Sequence, residues 1–78
     1  MSVTLRKEVA EELITYKLRK VQEAIVAILS RWQENSAARF LERARDGHYL
    51  EAENDAIDLR QLLLDEARLK EILKDVEG

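Results

Sequence analysis

No proline interrupts this chain, and its glycines are Gly47 and the last residue, Gly78. Helix interiors disfavour both residue types, because proline removes a ladder hydrogen bond and glycine carries excess backbone entropy. A sequence with almost no such breakers is free to run in long helices. Leu, Glu, Arg, Lys and Ala, all strong helix formers, dominate it, whereas the aromatics that favour strands make up 5%. The expected fold class is therefore all-α. Seventy-eight residues form one domain near the lower size limit for independent folding, and no cysteine is present to staple it or to hold a metal. Stability must then come from well-packed helices and from self-association.

The apolar spacing sets the helices. Ile14, Leu18, Val21, Ile25, Ile28 and Trp32 recur at steps of 4, 3, 4, 3 and 4, a seam that packs one helix along another. Leu5, Val9, Leu13 and Tyr16 form a second stripe on a neighbouring face. This predicts a first helix over about residues 8–33 that touches more than one neighbour. Asn35 and Ser36 interrupt the pattern, and either can cap a short helix over about 36–45 with Phe40, Leu41 and Ala44 on its apolar side. Asp46-Gly47 ends it, with Gly47 suited to the left-handed conformation of a helix C-terminus. A last helix is expected over about 49–76, with Ala52, Ala56, Leu59 and Leu63 on one face and Leu69, Ile72, Leu73 and Val76 on another. Asp65 lies where the stripe changes direction. The helix either bends or breaks there, or stays continuous and changes partners; the lack of glycine or proline favours continuity. The architecture is a small long–short–long helical bundle. The seam, too long for the short helix, is expected to pair two chains as a homodimer.

Charged residues make up 37% of the chain with signs interspersed and a net charge of −3, a pattern of solvated, ion-paired surfaces. Abundant Glu and Arg with few Asn, Gln and Met fit a heat-adapted protein. Residues 1–20 carry a net +2 and residues 50–78 a net −5, which antiparallel helices would satisfy mutually. The longest apolar run, Ala24 to Leu29, is far shorter than a membrane span, and the expected location is cytoplasmic.

Residues 45–60 hold the single histidine and five carboxylates. On a helix, His48, Glu51, Asp55 and Asp58 would share one edge, an arrangement open to a metal or to acid–base work. Helical metal motifs require a second histidine or repeated Glu-x-x-His pairs, so no metal and no other cofactor is expected. Glu51, Glu53 and Asp55 are explained as acids favouring the positive end of a helix. Asn54, with Ile57, Gln61 and Leu64, forms a partly apolar edge in which a polar side chain either fixes register or faces water. No hydroxyl lies in a G-x-S-x-G or S-x-x-K setting, no glycine-rich loop exists for phosphate, and no small-molecule substrate or catalytic residue is evident. Trp32 and Phe40, with Arg31, Arg39, Arg43 and Arg45 near them, read as a satellite core in preference to a nucleic-acid contact.

The five residues Ser2 to Arg6 alternate polar and apolar as a short strand would, a stretch too short to settle strand against helix, and a helix follows. In such an arrangement Ser2, Thr4 and Arg6 would read base edges, with Arg6 and Lys7 on phosphates. This is how a ribbon-helix-helix repressor begins, but that fold turns after a short first helix and this sequence runs on through "YKLRKVQEAIVAIL". The leading expectation is a non-enzymatic protein–protein interaction module, the antitoxin-like or adaptor half of a two-protein system. The alternative is a small dimeric DNA-binding regulator using Ser2-Lys7, with Thr4, Arg6 and Lys7 as contacts.

Overall fold

A computed structural model describes residues 3–78, with side chains from Arg6 onward. It is all-helical: α1 (Val3–Arg31), α2 (Ala37–Arg45) and α3 (Glu53–Glu77), in the long–short–long order. There is no strand among the described residues. Val3, Thr4, Leu5 and Arg6 belong to α1, so the short strand considered over residues 2–6 does not form over the described part; Met1 and Ser2 lie outside the described residues, as do the side chains of Thr4 and Leu5. The strong helix formers that follow draw the short alternation into their own ladder. No helix among the described residues is long and apolar enough to cross a membrane.

Helices α1 and α3 form an antiparallel hairpin 54 Å long and about 18 Å across, and α2 closes one end. The register is visible in polar contacts along the hairpin. Lys7 Nζ donates to the Glu77 carbonyl at 3.3 Å, Gln22 Nε2 to Glu66 Oε2 at 3.2 Å, and Arg31 to Asp55 at 2.8 Å. Helix α3 is unbroken through Asp65, whose carboxylate accepts from Gln61 one turn back. The helix keeps its course and changes partners along its length.

The seam finds its long partner within the chain. Val21, Ile25 and Ile28 are buried with Phe40 of α2, Ala52 of the preceding loop, and Ala56 and Leu59 of α3. Phe40 and Leu59 are fully enclosed. The two alanines let α3 approach closely, as their size allows. This core occupies one end of the hairpin. Towards the other end, Ile14 and Leu18 on α1 and Leu69, Leu73 and Val76 on α3 are only half-buried. Two helices alone cannot enclose a side chain on all sides.

Two helix ends are closed by Schellman motifs, in which the last turn's carbonyls accept from the residues beyond. At the end of α1, Gln33 donates to the Ser30 carbonyl at 3.1 Å and Glu34 to that of Leu29 at 2.8 Å. At the end of α2, Gly47 donates to the Ala44 carbonyl and His48 to that of Arg43 at 2.9 Å. Gly47 takes φ +82°, as its position requires, but the equivalent residue after α1 is Gln33 at φ 56°. Ser36 caps α2, its hydroxyl accepting from the Arg39 N–H at 3.2 Å. Helix α3 starts at Glu53, later than the expected residue 49, because residues 46–52 form a turn in which Glu51 also adopts positive φ, 59°.

Left-handed backbone costs a non-glycine residue about 1–2 kcal/mol, of which the added chain entropy of glycine would cancel about half. Gln33→Gly should therefore raise stability by about 0.5–1 kcal/mol, and Gln33→Val should lower it. Urea denaturation of the two variants beside the parent checks both signs.

Candidate functional site

Two regions stand apart from ordinary helix packing: a polar and aromatic junction where the three helices meet, and an apolar face on α1 that the fold leaves uncovered.

At the junction, the Schellman turn after α1 carries Trp32 and Glu34 inward. Trp32 closes the seam. Its ring lies 5.8 Å from Phe40 and 5.1 Å from Tyr49, and Phe40 and Tyr49 stack at 5.7 Å, so three aromatics from two loops and α2 contact one another. Such pairs add to simple area burial through ring-edge and ring-face attraction. The Trp32 indole N–H donates to Asp55 Oδ2 at 2.7 Å, and Arg31 Nη1 donates to both Asp55 oxygens at 2.8 Å. Asp55 thus ties the end of α1 to the first turn of α3, where a carboxylate also favours the helix dipole.

Glu34 is the buried charge. Its side chain is 4% exposed, and Oε2 accepts from Tyr49 Oη and from Arg43 Nη1 at 3.0 Å. The Tyr49 hydroxyl and then the Arg43 guanidinium hold its carboxyl below the usual carboxylate range, against the opposing effect of burial. Arg43 remains part-exposed, so the pair has one wet end.

The histidine–carboxylate edge does not form. His48 and Glu51 precede α3 in an exposed turn, and Asp55 is committed to Trp32 and Arg31. Among the described residues no three His, Asp or Glu side chains gather closely enough to share a metal ion. Trp32 and Phe40 take the core positions expected for them, while Arg43 turns to Glu34. Asn54, Ile57, Gln61 and Leu64 all face outward on α3, so no register-fixing role for Asn54 arises inside the chain. Of the DNA-contact candidates, Arg6 and Lys7 are exposed on α1, with the Lys7 ammonium turned to the C-terminal end of α3.

The uncovered face comprises Val9, Leu13 and Tyr16, which are 48%, 65% and 60% exposed. At 100° per residue they lie about a third of a turn round from Val21, Ile25 and Ile28 and look away from α3. Glu8, Glu12 and Arg19 flank them, with Glu11 one step further round in the same shallow trough. Of the six seam residues, then, the central three serve the chain's own core, Trp32 serves the junction, and Ile14 and Leu18 lie half-buried between the helices. The second stripe is the apolar face exposed on the early turns of α1; Val26 later on α1 and Ile57 and Leu64 on α3 are exposed as well. No family model, no curated protein and no solved structure matches this chain.

Because the folded Glu34 carboxyl titrates below its unfolded value, its contribution is complete above the ordinary carboxylate range and is lost as pH falls through the lowered folded value. Thermal melts near pH 7 and near pH 3 should show a smaller acid-induced loss in Glu34→Gln than in the parent, with Glu34→Gln the less stable of the two at neutral pH.

Proposed function

We propose that this chain is a non-enzymatic interaction module working in the cytoplasm, a rigid helical hairpin that presents the outer face of α1 to a helical partner. The observation that carries this reading is the stripe Val9–Leu13–Tyr16. Its side chains sit on the solvent side of a helix whose other side already has a partner. Large apolar side chains aligned along one face, rimmed by charge, are what helix-in-groove and helix-pair recognition use as anchors. The junction supports the same reading. Its buried Glu34 and part-buried Asp55 hold loops and helices together, which keeps α1 pre-organised and lowers the entropic cost of binding. A small acidic helical chain of this kind suits the antitoxin-like or adaptor half of a two-protein system.

The DNA-binding alternative drew on a strand carrying Thr4 and Arg6 into a groove. With the chain helical from Val3, that geometry has no support, and Glu8, Glu11 and Glu12 crowd the same turns as Arg6 and Lys7.

A photo-crosslinking amino acid placed at Leu13 in the expressed chain should give one discrete adduct on irradiation in cells, and the same probe at exposed Lys74 should not. Equal, diffuse labelling from both positions would contradict an interaction face on α1.

A further inference from the structure

Resting on that reading of the α1 face, we propose that its occupant is a second copy of this chain, laid antiparallel across a two-fold axis between Ile14 and Thr15, with Arg19 of each chain seated between Glu8 and Glu12 of the other. The order of charges along α1 favours this pairing. Over residues 8–20, "EVAEELITYKLRK", three acids (Glu8, Glu11, Glu12) precede Ile14 and three bases (Lys17, Arg19, Lys20) follow it. Reversing the segment about its middle lays the acidic half of one copy along the basic half of the other. A parallel pair would instead align acids with acids and bases with bases, and would stack the two helix dipoles in the unfavourable sense.

The helical geometry makes the match specific. Glu8, Glu12 and Arg19 border the same flank of the apolar stripe, and all three are exposed. A two-fold axis perpendicular to α1 brings like flanks together. At about 1.5 Å per residue, Arg19 then falls at a height between Glu8 and Glu12 of the second copy, about 3 Å along the axis from each. The same register sets Leu13 against Tyr16 and Val9 against Lys20. The Lys20 ammonium lies 5.5 Å from the Tyr16 ring centre and 3.6 Å from Glu23, which leaves its methylenes to cover Val9 while the charge stays wet.

The charges are also available. Among the described residues, Glu8, Glu11, Glu12, Lys17 and Arg19 form no ion pair within the chain, whereas Lys20 is held by Glu23. Solvated surface charges of both signs are common; their segregation about one point, along an uncovered apolar stripe, is what a self-complementary two-fold contact requires.

Sedimentation equilibrium of the intact chain, up to roughly millimolar protein, tests this. The parent should associate to dimers. Arg19→Glu should weaken association by roughly tenfold or more, as expected when two exposed charge clusters become repulsive, and so should Glu8→Arg with Glu12→Arg. Mixing those two variants should restore a heterodimer, because each repels itself and attracts the other. Circular dichroism confirms that each variant is folded.

The absence of cysteine allows the direction to be read separately. Oxidising an equal mixture of Val9→Cys and Lys20→Cys chains should give the mixed disulfide as the main product. A Val9→Cys homodisulfide as the main product would overturn the antiparallel arrangement. A parent monomeric at every concentration, whose Leu13 probe captures a different protein, would overturn self-pairing and leave the interaction reading standing. A monomer with no discrete adduct would overturn both.

Discussion

A single buried carboxylate organises one end of this molecule. Glu34 leaves the last turn of α1 through a left-handed residue, enters the interior, and accepts from Tyr49 and Arg43. A charge placed there without partners would give up hydration with nothing in return. Its two donors are therefore conditions of the fold. Because Tyr49 comes from the loop before α3 and Arg43 from α2, satisfying one carboxylate fixes the position of both relative to α1. The aromatic trio of Trp32, Phe40 and Tyr49 then fills the space beside it, and Asp55 binds Trp32 and Arg31 from the far side.

Fixing that end has a consequence for the other. With α2 spent on capping the junction, nothing among the described residues lies alongside the early turns of α1 except the late turns of α3. A helix in a two-helix hairpin has one covered face. Over residues 6–20 the sequence provides apolar residues for two, Ile14 and Leu18 towards α3 and Val9, Leu13 and Tyr16 away from it. The chain thus has one end built around the enclosed Phe40 and Leu59, where Val26, Leu50 and Ile57 still face outward, and a half whose apolar pattern exceeds what two helices can cover.

Much of this was legible in the residues. The 4-3-4-3-4 seam, the Ser36 cap, the Gly47 stop and the continuity of α3 through Asp65 are all local or periodic features, and each appears where periodicity and capping chemistry place it. The seam's partner was not legible, because a heptad pattern looks the same whether the facing helix belongs to the same chain or another. The left-handed Gln33 carries no compositional mark of a helix stop, and the late start of α3 follows from the left-handed Glu51, also a residue without turn preference. The Glu34–Tyr49–Arg43 cluster brings together residues up to 15 positions apart across two turns, so no motif announces it. The alternation in Val3–Leu5 was a true pattern too short to outweigh the helix that follows it.

The core of the junction half forms within one chain, whereas the early half of α1 is proposed to be covered by association. Amide hydrogen exchange followed as a function of protein concentration addresses it directly, since a contact between chains protects in proportion to its occupancy whereas an internal contact does not. Protection over residues 8–20 should rise with concentration while that over 21–34 and 52–60 stays constant. Protection that is independent of concentration along the whole of α1 would contradict association.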